Sequence, residues 1–183
     1  MIQHKALIVL LGAAVSGMAI AAAGNLAPAE STFVRKAAEG GMAEVKLGQL
    51  AKEKGSNQAV KSFGDRMVRD HSKANDELKN VASKTGVTLR DSMNAKDKAL
   101  YDRLSRLSGD AFDKAYMRAM IEDHQEDVAE FRQVAQSAKD PDVRQFASKT
   151  LPTLEEHLRM AKNTASQVGA MSTTGNGATA QKQ

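Results

Sequence analysis

The chain has no cysteine, no tryptophan and only three prolines in 183 residues. Without cysteine there is no disulfide framework, no thiol nucleophile, no thiolate metal ligand and no lipoprotein cysteine. Residues of high β propensity are few, and no stretch alternates polar and apolar residues, so strands are not expected. There is no glycine-rich phosphate loop and no serine or cysteine nucleophile motif, which leaves a hydrolase built on a His–carboxylate pair as the weakest functional reading. Charge of one sign is also lacking. Lys and Arg number 26 against 22 Asp and Glu, a formal net charge of +4. The charges are interspersed, as on solvated helix faces rather than a nucleic-acid patch.

Long apolar runs are absent except at the start, "MIQHKALIVLLGAAVSGMAIAAAGN". A basic residue, an apolar stretch and small residues ending in "AIAAA" make the layout of a secretory signal peptide over residues 1–23, with cleavage after Ala21 or Ala23. Read instead as an uncleaved anchor, the run is marginally long and rich in Ala and Gly. Export implies a periplasmic or secreted protein. Cleavage removes His4 and one basic residue, leaving His71, His124 and His157 and a net charge of +3. Residues 24–30 read as a linker. Residues 169–183, "GAMSTTGNGATAQKQ", have little to bury and read as a disordered tail.

Between them, residues 31–168 carry helical periodicity. A first helix over about 31–54 presents Phe33, Ala37, Gly40, Glu44, Leu47 and Ala51 on one face. A second, to about residue 84, presents Val60, Phe63, Met67, His71, Ala74, Leu78 and Val81. A long connection, 86–108, carries a short helix near 96–107. A third long helix from about residue 110 presents Phe112, Tyr116, Met120, His124, Asp127, Phe131 and Val134. Asp140-Pro141 is an N-cap followed by proline at the first helical position, and starts a fourth. That helix presents Phe146, Leu151, Leu154, His157, Leu158 and Ala161, and holds Pro152, which predicts a kink near Ser148 or a local restart at "TLEE". Two short links and one long middle connection describe an all-α, ferritin-like four-helix bundle with a crossover. A shift of 83 residues lays "NQAVKSF" on "DPDVRQF", Phe33 on Tyr116 and Glu44-Val45 on Asp127-Val128, which points to an internal duplication.

Polar residues on the inner faces carry the functional argument. His71, His124 and His157 all fall beside core positions, as do Glu44 and Asp127. The folding-back points put Glu44 about one turn from the height of His71, and His124 next to His157. A lone buried carboxylate is costly, and imidazole and carboxylate are the usual ligands of iron, manganese, zinc and copper. Glu44, His71, His124, Asp127 and His157 are therefore the candidate metal ligands. Asp70, Asp123 and Glu156, each directly before a histidine, either face solvent or support a ring nitrogen not bound to metal. The ferritin di-iron pattern needs Glu-x-x-His on two helices. Val68, Ile121 and Leu154 occupy the position three before each histidine, so the motif is absent. The rival reading is an envelope or stress-related interaction module whose inward polar residues only specify packing.

"GGMAEVKLGQLAKEKGS", "FGDRMVRDHSKANDELK", "LSGDAFDKAYM", "HQEDVAEF" and "TLPTLEEHL" together resemble the exported bacterial family known as domain of unknown function 4142, over about residues 30–166. The resemblance implies a ferritin-like bundle and export, and no particular reaction. Its recurring pattern falls here on Glu44, Asp70, His71, His124 and His157. The label of outer-membrane protein sometimes given to the family fits poorly with a chain that lacks barrel strands and a lipid-anchor cysteine.

Overall fold

A computed structural model describes residues 26–171. The expected signal segment, the first part of the linker and the tail from residue 172 lie outside the described residues. Five helices and no strand occur among the described residues: α1 Pro28–Lys54, α2 Gln58–Thr85, α3 Ala95–Ser105, α4 Gly109–Ser137 and α5 Pro141–Gln167. None is long and apolar enough to cross a membrane.

The helix ends follow from local chemistry. α1 starts at Pro28 rather than at the expected Ser31, because proline suits the first turn and the Glu30 carboxylate accepts from the Ala27 N–H at 3.2 Å. Asn57 caps α2 by accepting from the Ala59 N–H, and Gly86 closes it with φ 70°. Asp140 accepts from the N–H groups of Asp142 and Val143, so α5 starts at Pro141 as expected. α5 is continuous through Pro152, and no restart occurs at Thr153.

α1 packs along α2 and α4 along α5; α2 meets α5 and α1 meets α4, which closes the four long helices into a bundle. α3 lies in the link from α2 to α4 and rests on both α1 and α4. α1 and α2 approach closely at Gly48 and Gly64. A Cβ on Gly48 would stand 2.7 Å from the Gly64 carbonyl oxygen, and one on Gly64 would stand 2.7 Å from the Gly48 carbonyl oxygen and Ala51 Cβ.

The duplication has a structural counterpart. Glu30 Oε1 accepts from the N–H groups of Lys139 and Asp140, at 2.6 and 3.0 Å, and so ties α1 to the turn between α4 and α5. Asp113, 1% exposed, accepts from the N–H groups of Ser56 and Asn57 and the Ser56 hydroxyl, at 3.1, 2.8 and 2.6 Å, and so ties α4 to the turn between α1 and α2. The shift of 83 residues carries Glu30 onto Asp113 and the pair 56–57 onto 139–140. One carboxylate near the start of each hairpin caps the turn of the other.

Two apolar clusters fill the bundle. One holds Leu47, Phe63, Met67, Leu104, Tyr116, Met120 and Ala161, and the other Phe33, Leu78, Val128, Phe131, Phe146 and Leu154. Full burial of each large side chain contributes about 1.5–3 kcal/mol. His71 lies between Met67 and Leu78, His124 between Met120 and Val128, and His157 between Ala161 and Leu154. Glu44 lies between Leu47 and Ala38. All four long helices therefore place a polar side chain in one layer, with apolar packing on either side.

Candidate metal centre

His71, His124 and His157 are 6%, 0% and 1% exposed. Helical spacing puts each one turn from a core residue, so burying the apolar stripe carries the imidazole inward. One ring nitrogen from each lies within 4.8 Å of the other two. Ring centroids are 5.8 Å apart for His71 and His124, and 5.3 Å apart for each of the other pairs.

Hydrogen bonds define which nitrogens carry protons. His124 Nδ1 lies 3.0 Å from the Met120 carbonyl oxygen. A carbonyl only accepts, so Nδ1–H donates to it. His157 Nε2 lies 2.8 Å from Asp70 Oδ2, and donates to that carboxylate in the same way. Asp70 is also paired with Arg66, one turn before it on α2. Burial alone would raise the Asp70 carboxyl, but Arg66 and His157 outweigh it and hold it below the ordinary carboxylate range.

The imidazoles are all pushed toward the neutral form. Burial takes the His124 ring down to about 4, helped by His157 and opposed by Asp123 and the Met120 carbonyl. Burial, then His124 and His157, drive His71 well below its usual value. Burial lowers His157 against the pull of Asp70. With both rings neutral and both outer protons committed, His124 Nε2 and His157 Nδ1 face each other through lone pairs at 3.3 Å. His71 Nε2 is buried with no hydrogen-bond partner among the described residues. Two nitrogens on a tetrahedral metal, each about 2.0–2.1 Å from it, stand about 3.3–3.4 Å apart. The His124–His157 pair thus matches the donor spacing of a metal centre, with a His71 nitrogen within 4.8 Å of both and with Met120 and the Asp70–Arg66 pair orienting the two rings.

The carboxylates fall elsewhere. Glu44, 2% exposed, has Oε1 4.0 Å from His124 Nδ1, on the opposite edge of the ring from His157. Its nearest histidine contact is therefore across the bundle on α4, rather than with His71 on its own hairpin. Asp123 joins it: carboxylate oxygens of Glu44 and Asp123 and a His124 ring nitrogen lie within 4.8 Å of one another. Burial, then Asp123, Asp127 and Asp97, raise Glu44 well above its ordinary value. Asp127, also raised by burial and then by Asp123, stands beside this acidic group and outside the imidazole cluster. Glu156 turns outward and pairs with Arg159 at 2.9 Å.

Of the three acids that precede a histidine, Asp70 orients a ring, but that of His157 on α5 rather than its own neighbour. Sequence reasoning missed Arg66, although its spacing of four from Asp70 signals a helical ion pair. It also missed Asp97, which α3 brings to the acidic group and which no periodicity marks. Tyr116 is fully buried, its hydroxyl has no hydrogen-bond partner among the described residues, and burial, then Glu44 and Asp123, raise it well above its usual value.

The sequence pattern of the family described as Domain of unknown function (DUF4142) matches residues 15–164, so the chain belongs to that family. Comparison with curated proteins finds no match. Among solved structures the chain is similar to one titled "Crystal structure of DUF305 fragment from Deinococcus radiodurans". The TM-score is 0.69 at 16% identity, covering 79% of this chain and 99% of that one, a likeness of fold.

Proposed function

Taking family membership and the imidazole layer as premises, we propose that this protein binds one late divalent transition metal, zinc or copper, through His71, His124 and His157. The observation that carries the reading is the convergence of three buried ring nitrogens, one from each histidine, within 4.8 Å of one another inside an apolar bundle, two of them 3.3 Å apart. Nitrogen-only donors favour zinc and copper over manganese and iron. The fourth coordination position has no residue assigned to it. Binding in storage, buffering or stress protection is the role this reading assigns to the site. The N-terminal apolar run supports export to the periplasm or beyond. The four long helices and the link carrying α3 support a ferritin-like bundle with a crossover.

A second reading has its own support. One extra proton on the His124–His157 pair would satisfy all three hydrogen bonds from Met120 to Asp70, with the Asp70 charge as balance. The layer would then only specify packing. Elemental analysis of protein purified without an affinity tag, with thermal melts in added zinc and copper, separates the two. Metal binding predicts near-stoichiometric metal and a raised melting temperature, both lost in His71→Ala with His124→Ala. The packing reading predicts no metal and no shift.

A further inference from the structure

We propose that Glu44 and Asp123 form a second cation site, for a hydrated hard divalent cation such as Mn2+ or Mg2+, on the opposite edge of His124 from the imidazole cluster. Glu44 is 2% exposed, and neither of its oxygens has a hydrogen-bond partner among the described residues. Its carboxylate lies beside Asp123 and 4.0 Å from His124 Nδ1. Among the described residues, no lysine or arginine nitrogen comes within 4.0 Å of Glu44, Asp97, Asp123 or Asp127. The rim differs: Glu126 pairs with Lys96, and Glu130 with Lys36. Among the described residues the acids without a lysine or arginine partner here are therefore the inner ones.

A cavity of about 240 Å³ opens beside Asp123, with Asp97, Asp123 and Asp127 in its wall and His71 at its border with the imidazole cluster. Its wall mixes charged with apolar side chains, and it is wide enough for several waters. The 83-residue shift relates this space to the imidazole layer. Gly41, Ala74 and Leu154 line this cavity and are the counterparts, 83 residues away, of His124, His157 and His71. Asp127 is the counterpart of Glu44. Under the shift the counterpart of the imidazole layer thus keeps an acid, Asp127, but has Gly41, Ala74 and Leu154 where the layer has rings, which leaves room for water.

Oxygen donors with water access suit a hard cation, and magnesium in particular keeps several waters and binds through one or two carboxylates. His124 Nδ1–H is committed to the Met120 carbonyl, so carboxylate and water oxygens supply the donors. The imidazole cluster offers nitrogen alone, so the two sites sort cations by hardness. This inference does not depend on the imidazole site being filled.

The test is a titration of tag-free, chelator-treated protein with Mn2+, free ion being read by electron paramagnetic resonance. Unaltered protein is expected to bind one Mn2+ saturably, with Mg2+ competing. Asp123→Asn, a near-isosteric change at a half-buried position, is expected to weaken Mn2+ at least tenfold while changing zinc affinity less than threefold. Glu44→Gln is expected to do the same. Should Glu44→Gln fail to fold, as seen by circular dichroism, Asp123→Asn carries the test alone. Absence of saturable Mn2+ binding overturns the proposal. So does Mn2+ binding that survives Asp123→Asn, or that is lost in His157→Ala. Loss of zinc binding alone in His157→Ala bears on the imidazole reading and leaves this one standing.

Discussion

Replacing Glu30 with Gln tests the reciprocal capping that holds the two hairpins in register. Glu30 is 9% exposed and accepts from three backbone N–H groups, those of Ala27, Lys139 and Asp140. A hydrogen bond to a charged group contributes about 1.5–3 kcal/mol, while loss of a helix cap costs about 1 kcal/mol. Gln keeps one acceptor oxygen and loses the charge, so a loss of about 2 kcal/mol is expected. For a domain of this size that corresponds to about 4–8 °C in melting temperature. The N–H groups of Asp140, Lys139 and Ala27 hold the Glu30 carboxyl below its ordinary range despite burial. An acid with a lowered folded value contributes stability above its unfolded value, near 4.5. That contribution is lost as pH falls through the lower folded value. The difference between the two proteins should thus be full at pH 7 and should shrink below about pH 4. Asp113→Asn should behave alike at pH 7. The two caps lie at opposite ends of helices about 40 Å long, so their effects should add. Urea unfolding at several pH values measures all of this. A Glu30→Gln effect below about 0.5 kcal/mol, or an equal effect at pH 7 and pH 3, would refute the reasoning.

Three further outcomes are expected. Gly64→Ala puts a Cβ 2.7 Å from the Gly48 carbonyl oxygen and from Ala51 Cβ, and should cost about 1–3 kcal/mol by overpacking, read by denaturant midpoint. Met67→Ala empties a fully buried site in the cluster next to the imidazole layer, and should cost about 2–5 kcal/mol in the same assay. Asp70→Asn removes the charge that fixes the His157 tautomer, and should weaken zinc binding about 10–100-fold by competition with a chromophoric chelator, with little change in fold.

The helices, their caps and the inward turn of the three histidines were legible because each follows from spacing along one helix. Asn57, Asp140 and Pro141 act where their chemistry puts them. The adjacency of His124 and His157 followed from counting back from the turn at residue 140. What was not legible depends on how the two hairpins meet. Glu44 reaches His124 on α4, and Asp70 reaches His157 on α5, both across the seam between hairpins. α3 carries Asp97 to the acidic group, through a connection whose path no periodicity describes. The five expected ligands therefore separate into an imidazole cluster and an acidic group, with Asp127 on the acidic side. The extended reach of the repeat, to Glu30 and Asp113, became visible only through their contacts with the turns.

X-ray absorption fine structure at the zinc edge of zinc-loaded protein tests the central claim most directly. The account predicts a first shell with three imidazole nitrogens at about 2.0–2.1 Å, and loss of that imidazole signature in His157→Ala. A first shell made of oxygen alone, or a spectrum unchanged by His157→Ala, would contradict it.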